Sequence, residues 1–270
     1  MIDIFSSLIL GIVEGITEFL PISSTAHLIL TSHLLGIAQT EYVKSFEIAI
    51  QSGAILAVAV LYWRRITDLP LIKKIIVAFI PTGIIGLALY KVVKTYLIGN
   101  LSLMLWALAL GGIVLIFVEW HLRRGAAAVA AAPRKPEEPT APLDIAMGVS
   151  YGQALALGIF QAVAMIPGVS RSGATIVGGL LMGIERRTIA EFSFLLAIPT
   201  MAAATGLDLI KNAGAFNTDQ FLSLAIGFVA SFITAIIAIR WLLTYIRSHS
   251  FASFGIYRIA IAIVFAIAIL

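Results

Sequence analysis

The sequence predicts an all-α integral membrane protein with about six transmembrane helices and two re-entrant helix hairpins in an inverted-topology repeat. Three observations lead to this fold class. The 270 residues are 60% hydrophobic and only 12% charged, whereas soluble domains carry about 25% charged residues. Several apolar stretches approach or exceed the roughly 20 residues that a helix needs to cross a bilayer. Two further pairs of apolar stretches are short, and each pair is interrupted by a proline followed by hydroxyl residues.

Six stretches are long and apolar enough to span the membrane. They are residues 46–63, 75–90, 101–119, 190–206, 221–243 and 252–270. The four shorter stretches are residues 4–20, 24–37, 150–166 and 173–184. Broken backbone at membrane depth is tolerated only where it is buried in protein or lines a cavity. We therefore expect each short pair to form a hairpin that enters and leaves the membrane on one side.

The two halves of the chain resemble each other at these breaks. The matching positions are Gly11 with Gly158, Glu14 with Gln161, Pro21 with Pro167, and Ser23–Thr25 with Ser170–Ser172. Similarity that coincides with broken helices is typical of repeats in transporters and related membrane proteins. We therefore divide one compact membrane domain into a first repeat at residues 1–120, an Ala/Pro-rich cytoplasmic linker at 121–149 and a second repeat at 150–270.

The basic residues predict the orientation of the chain. Eleven Lys and Arg residues fall in the loops at 64–74, 120–149, 185–189 and 244–251, and four fall in the opposite loops. The more basic side should be cytoplasmic. Both termini then lie outside, the first hairpin enters from the outside and the second from the cytoplasm, so that their tips can meet near the midplane.

Composition also excludes some chemistry. The chain has no cysteine, which removes disulfides, thiolate nucleophiles and Cys-ligated zinc. Its formal net charge of +4 does not indicate nucleic acid, because the basic residues set the topology from short loops. The expected partners are membrane lipids and a lipid substrate.

Charged residues inside the broken stretches are the candidates for function. A charge at the bilayer centre costs roughly 2.5–3.5 kcal/mol, so Glu14, Glu18 and Arg171 would together cost on the order of 8–10 kcal/mol in lipid. Water, protein partners or a ligand must offset much of that cost. Glu14 and Glu18 are four residues apart and share a helix face. They could hold a hard cation such as Mg²⁺ or Ca²⁺, act as an acid and a base, or simply face a water-filled vestibule.

Hydroxyl residues follow each proline. Ser23, Ser24 and Thr25 can cap the next half-helix, and a helix start with free N–H groups is also an anion site. His27 lies in the first turn of that half-helix. It could serve as a proton shuttle, as a nucleophile toward phosphorus or as the activator of Ser24, or it could be a hydrogen-bonded structural residue.

The second break carries a cation instead. Arg171 offers a planar fork of donors that matches phosphate oxygens, and Ser170, Ser172 and Thr175 surround it in the sequence. The alternative is a structural ion pair between Arg171 and a glutamate of the first break. Together the two breaks contain carboxylates, a histidine, hydroxyls and an arginine, which are the groups that phosphoryl transfer requires. In a membrane, a lipid phosphate is the natural substrate.

Long stretches of the chain resemble the undecaprenyl-diphosphate phosphatase, or bacitracin-resistance, family. They are Glu14–His27, Phe46–Ala57, Trp63–Arg65, Pro167–Thr175, Glu191–Pro199 and Ile256–Arg258. The resemblance implies hydrolysis of undecaprenyl diphosphate to undecaprenyl phosphate and inorganic phosphate, which recycles the carrier lipid of bacterial cell-wall synthesis. It also implies a divalent cation, Mg²⁺ or Ca²⁺, a site that opens to the outer face of the plasma membrane, and a homodimer.

The same resemblance implies roles for individual residues. The catalytic positions would be Glu14, Glu18, Ser24, His27 and Arg171. From the residues themselves, we expect Glu14 and Glu18 to hold the metal. The hydroxyls expected to bind phosphate are those of Ser23, Thr25, Ser170, Ser172 and Thr175. The nucleophile is left open between Ser24 and His27, and no role is assigned to Glu47, Gln51, Glu191, Tyr257 and Arg258. A transporter or flippase of a polyprenyl phosphate lipid is the alternative function, since broken helices that meet at the midplane are typical of transporters.

Overall fold

The computed structural model describes residues 2–97, 100–129, 145–212 and 220–269. Within these ranges the chain is helical, with no β-strand, so the predicted all-α class is confirmed. The α-helices are α1 Ile4–Thr17, α2 Ser24–Leu34, α3 Glu41–Leu61, α4 Leu69–Val92, α5 Leu101–Val129, α6 Ile145–Gly148, α7 Tyr151–Ala162, α8 Arg171–Leu181, α9 Arg186–Asn212, α10 Phe221–Tyr245 and α11 Ala252–Ile269.

Five of these helices are long and apolar enough to cross a membrane. The spanning parts are Glu41–Leu61, Leu69–Leu89, Leu101–Arg124, Arg186–Leu207 and Phe221–Tyr245. The sixth predicted span corresponds to α11, whose described apolar part, Ala252–Ala268, is shorter. Large apolar side chains such as Leu87, Trp106 and Phe221 are exposed on the outside of the bundle, where lipid would cover them. The chain is therefore a multi-pass helical membrane protein.

Some helices begin earlier or end later than hydropathy predicts. α3 starts at Glu41 rather than at residue 46, because the Thr40 side chain accepts a hydrogen bond from the Val43 N–H and caps the helix. α5 continues to Val129 and so takes in the first part of the predicted linker at 121–149. Its last turn contains three consecutive alanines, the best helix formers. Most of that linker, residues 130–144, lies outside the described residues.

The two predicted helix pairs are both interrupted in the structure. The first break, residues 18–23, separates α1 from α2, and the second break, residues 163–170, separates α7 from α8. Below, each break also includes the first two residues of the half-helix that follows it, Ser24 and Thr25 or Arg171 and Ser172. A short 3₁₀ turn at Val163–Met165 begins the second break. In each pair the two half-helices are too short to cross a bilayer separately.

Glycines let each first half-helix lie directly against a neighbour from the other half of the chain. A side chain on Gly11 of α1 would collide with the Gly227 carbonyl of α10, and one on Gly158 of α7 would collide with the Ala78 carbonyl of α4. The Thr82 hydroxyl of α4 also donates to the Gly158 carbonyl at 2.8 Å. The halves of the chain are thus interleaved, with α1 packed on α10 and α7 packed on α4.

A buried core surrounds the breaks. Phe19 in the first break meets Phe194 of α9 edge to face, with ring centroids 5.4 Å apart, and both rings are fully buried. At one end of the bundle, buried Glu119 accepts hydrogen bonds from Arg186 Nη2 at 2.6 Å and from the Phe251 N–H at 3.0 Å. This contact ties α5 to α9 and to the start of α11, at a distance from the breaks along all three helices.

Candidate active site

Both breaks use the same unusual backbone conformation. Ser23 has φ 72° and Ser170 has φ 75°, and no other non-glycine residue of the described chain has a positive φ. Each serine stands immediately before its half-helix, at the N-cap of α2 or α8. A left-handed conformation costs a residue with a Cβ on the order of 1–2 kcal/mol. Strain of this kind persists where the surrounding structure enforces it, most often at functional sites.

Glu18 joins the two breaks. The Ser24 hydroxyl donates a hydrogen bond to Glu18 Oε2, and Arg171 Nη2 donates to Glu18 Oε1 at 2.9 Å. Arg171 Nη1 donates to the Ser193 carbonyl of α9 at 2.8 Å, and its Nε–H has no acceptor among the described residues. A carboxylate, a hydroxyl and a guanidinium from opposite halves of the chain are therefore in direct contact.

A cavity opens beside this cluster and is lined by polar groups of both breaks. Six residues proposed from the sequence line it: Glu18, Ser23, Ser24, Thr25, Ser170 and Arg171. Apolar residues, among them Met165 and Met201, complete part of the wall. The cavity thus offers an anion both a guanidinium and hydroxyls within a mainly apolar surrounding.

Two hydroxyls proposed for phosphate binding are used elsewhere. The Ser172 hydroxyl donates to the Leu20 carbonyl at 2.8 Å, and the Thr175 hydroxyl donates to the Arg171 carbonyl at 2.9 Å. Both residues are fully buried, and neither lines the cavity. In this structure Ser172 links the two breaks, whereas Thr175 bonds one turn back within α8, and their role as phosphate ligands stays a prediction.

Glu14 lies one helical turn before Glu18 and is completely buried. Neither of its carboxylate oxygens accepts a hydrogen bond from the described residues, and it does not line the cavity. Orphaned carboxylate oxygens are expensive to bury, so a proton, a water or a cation must accompany them. In the part of the chain that the structure describes, no group of three or more His, Asp or Glu side chains could hold a metal.

His27 is fixed by two contacts that do not involve Ser24. Its Nδ1 lies 2.8 Å from the Ser23 carbonyl, and its Nε2 lies 2.9 Å from the Tyr257 hydroxyl. Because a carbonyl can only accept, Nδ1 carries the hydrogen and Nε2 accepts from Tyr257. The predicted proximity of His27 to the first break is present, but the hydroxyl of Ser24 is bound to Glu18 instead.

A polar network on the cavity wall was missed by sequence reasoning. Gln161 Nε2 donates to the hydroxyls of Thr82 and Thr200, each at 3.0 Å, while its Oε1 has no partner among the described residues. All three residues line the cavity, together with Gln51. The only sequence signal was the match between Gln161 and Glu14 in the two halves.

Two other unassigned glutamates lie outside the cavity. Glu47 accepts hydrogen bonds from Ser32 and Gln39, at 3.0 and 3.1 Å. Glu191 forms an ion pair of 2.7 Å with Arg187. Both carboxylates are thus occupied by neighbours, and neither lines the wall.

Known proteins are similar to this chain over nearly its whole length, including both breaks. A family model described as "Bacitracin resistance protein BacA" matches residues 7–264. The chain is 53% identical over 263 residues to an undecaprenyl-diphosphatase from Aquifex aeolicus, covering 97% of both chains. It is 49% identical over 259 residues to one from Sulfurihydrogenibium sp., covering 96% of both, and 43% identical over 269 residues to one from Thermus thermophilus, covering 98% of this chain and 97% of the relative.

Proposed function

Because the chain belongs to the bacitracin resistance protein BacA family, we propose that it hydrolyses undecaprenyl diphosphate to undecaprenyl phosphate and inorganic phosphate. This reaction recycles the carrier lipid of cell-wall synthesis in the bacterial plasma membrane. The observation that carries the proposal is the contact of Glu18 with both Ser24 and Arg171 at the edge of a polar cavity.

The cavity suits the head of a lipid diphosphate. Arg171 and the hydroxyls of Ser23, Thr25 and Ser170 would bind the anionic oxygens. Such donors, held in place before the reaction, stabilise charge that develops on the phosphoryl oxygens. The isoprenoid tail would stay among the apolar wall residues and the surrounding lipid.

Ser24 is the nucleophile in this proposal. Its Oγ bonds to the terminal phosphorus while the bond from that phosphorus to the bridging oxygen breaks. Glu18, which already accepts the hydrogen bond of Ser24, takes the hydroxyl proton and passes it to the departing undecaprenyl phosphate. Glu18 then takes a proton from a water molecule that attacks the phosphoserine, and this proton returns to Ser24 as inorganic phosphate leaves.

His27 is the alternative nucleophile. Its contacts with Ser23 and Tyr257 favour a structural role instead, in which His27 fixes the carbonyl of Ser23. The two nucleophiles leave different intermediates, because phosphoserine survives acid and phosphohistidine does not. Acid-quenched protein that retains label from a substrate labelled in its terminal phosphate would support Ser24, and label lost in acid but stable in base would support His27.

For a divalent cation the described residues offer two carboxylates, Glu14 and Glu18, and not a cluster of three. Mg²⁺ is usually bound by one or two carboxylates together with substrate phosphates, and Glu14 has two unpartnered oxygens one turn from Glu18. Glu14 and Glu18 would hold the ion. When bound, it would neutralise charge on the diphosphate.

The distribution of Lys and Arg among the loops supports an orientation for the chain. We infer an inverted repeat of residues 1–120 and 150–270, with both termini and the opening of the site on the outer side of the membrane. The matched packing of α1 on α10 and of α7 on α4 supports the repeat. A homodimer is the assembly that the family resemblance implies, and cross-linking in native membranes would test it.

The decisive experiment is phosphate release by purified protein in detergent micelles. Undecaprenyl diphosphate with Mg²⁺ should yield inorganic phosphate, and a chelator should stop the reaction. Micelles have no sides, so a pure flippase would release nothing. If folded protein releases no phosphate, the enzyme hypothesis is rejected and the transporter hypothesis remains.

A further inference from the structure

Arg258 of α11 is buried between the two breaks, with 1% of its surface exposed. Its guanidinium makes five hydrogen bonds, and every acceptor is a backbone carbonyl. The bonds run from Nε to Leu108 at 3.0 Å, from Nη1 to Pro21 at 3.1 Å and Val169 at 3.0 Å, and from Nη2 to Gly168 at 2.9 Å and Ala107 at 3.3 Å.

The positions of these carbonyls are informative. Pro21 belongs to the first break and precedes left-handed Ser23 by two residues, whereas Val169 directly precedes left-handed Ser170. One terminal nitrogen, Nη1, therefore holds both breaks at once. The other acceptors belong to the second break and to α5, so the guanidinium ties three parts of the chain to α11.

A buried arginine normally lies beside a carboxylate. Among the described residues, no carboxylate lies within ion-pair distance of Arg258. Only arginine presents five donors in one rigid plane. A role in fixing backbone geometry explains why this residue occupies the position, since a simple charge or an apolar side chain could not satisfy five carbonyls.

We propose that Arg258 is a positioning residue for the phosphatase reaction: it fixes the distance between Ser24 and Glu18 of the first break and Arg171 of the second. The proposal rests on the proposed function. It explains how two strained serines keep their conformation, because Arg258 binds the carbonyls on their N-terminal sides. It also predicts that small shifts of the guanidinium reduce turnover, since a displacement of about 1 Å at a reacting centre can cost about 10²-fold.

Gly111 of α5 offers a way to shift the guanidinium without removing it. A Cβ at this position would overlap Nη2 of Arg258. Gly111→Ala keeps the arginine and its charge, whereas Arg258→Lys keeps the charge and loses the planar donors. Arg186→Lys is the control, because it makes the same chemical change in the ion pair with buried Glu119, which also links α5 to the start of α11.

The experiment measures phosphate release from undecaprenyl diphosphate in dodecyl maltoside micelles. Arg258→Lys and Gly111→Ala should each lower kcat about 10²-fold with KM changed less than about threefold, since misplaced reacting groups weaken the transition state while ground-state binding of the substrate is kept. Arg186→Lys should lower the melting temperature while keeping kcat within about threefold. Wild-type kcat in both test variants, or an equal loss in the control, would overturn the proposal. If Arg258→Lys does not fold, Gly111→Ala decides.

A second readout separates this proposal from the proposed function. Orthovanadate, which adopts the geometry of phosphoryl transfer, should raise the melting temperature of the wild type and of Arg186→Lys but not of the two test variants. If the wild type releases no phosphate, the proposed function fails while the vanadate shift still decides the role of Arg258. Equal vanadate shifts in all four proteins would overturn that role.

Discussion

The two breaks have the same unusual backbone conformation, but their hydroxyls make different hydrogen bonds. Ser23 and Ser170 have nearly the same φ. In the second break the Ser170 side chain accepts from the Gly173 N–H at 3.1 Å, and Ser172 donates to the Leu20 carbonyl. In the first break the Ser23 side chain makes no capping bond, and Ser24 donates to the carboxylate of Glu18.

This difference assigns the proposed reaction to the first break and structural hydrogen bonds to the serines of the second. The first break presents a hydroxyl to a carboxylate inside the cavity, which is what a nucleophile and its base require. In the second break Ser170 accepts from the Gly173 N–H and Ser172 donates to the Leu20 carbonyl, and Arg171 is the group that contacts Glu18. In the proposed function the two breaks would therefore divide the work, with the first carrying out proton transfer and the second binding the anion.

The largest expected effect distinguishes Ser24 from Ser172. Ser24→Ala should reduce phosphate release by at least about 10³-fold, because removal of a nucleophile leaves only binding and electrostatic stabilisation. Ser172→Ala should retain most activity but lower the free energy of unfolding by about 1–3 kcal/mol, since the Leu20 carbonyl loses its buried donor. Turnover assays and unfolding of both variants in one detergent test this, and equal losses of activity would remove the distinction between the breaks.

A smaller effect concerns Arg171, the positively charged residue of the second break. Arg171→Lys keeps the charge but cannot bind Glu18, the Ser193 carbonyl and a phosphate oxygen together. We expect kcat to fall about 10²-fold, the loss typical of one oxyanion donor. Arg187→Lys is the control, because its ion pair with Glu191 is partly exposed and should contribute at most about 1 kcal/mol to stability. Full turnover by Arg171→Lys would show that charge alone suffices.

The smallest effect compares the two left-handed serines. Ser170→Ala removes a helix cap and should cost about 1 kcal/mol of stability. Ser23→Ala removes no capping bond and should cost clearly less. Equilibrium unfolding in mixed micelles measures both, and a larger loss at Ser23 would mean that its hydroxyl has a structural partner that the present contacts do not include.

Much of this site could be predicted, because charges are rare in apolar stretches. Glu18 and Arg171 stood out against their surroundings, and the proline and hydroxyl residues around them marked the breaks. Thr82 and Thr200 could not be found in the same way. Threonines in membrane helices commonly bond to a carbonyl one turn earlier, as Thr200 does with Leu196, so their spacing carries no signal of a shared cavity.

Other features depend on contacts between distant parts of the chain. Activation of Ser24 was one of several roles considered for His27, but its contacts are with the Ser23 carbonyl and with Tyr257, 230 residues away. Arg258 sits in an apolar helix with no charged neighbour in sequence, and its five acceptors come from α5 and from both breaks. The predicted span ends at residue 119 whereas α5 continues to Val129, because hydropathy marks where a helix leaves the apolar region and the alanines beyond it favour further helix.

The glycine contacts of α1 and α7 restrict how substrate can arrive. Gly11 and Gly158 bring their helices against the carbonyls of Gly227 and Ala78 with no side chain between them. Movement of α1 or α7 would have to separate one backbone from another, because no flexible side chains lie at these contacts to adjust to the movement. A rigid centre of this kind favours lateral entry: the carrier lipid would slide in from the bilayer between helices, and its head would reach a site that stays in place while the product diffuses back along the same route.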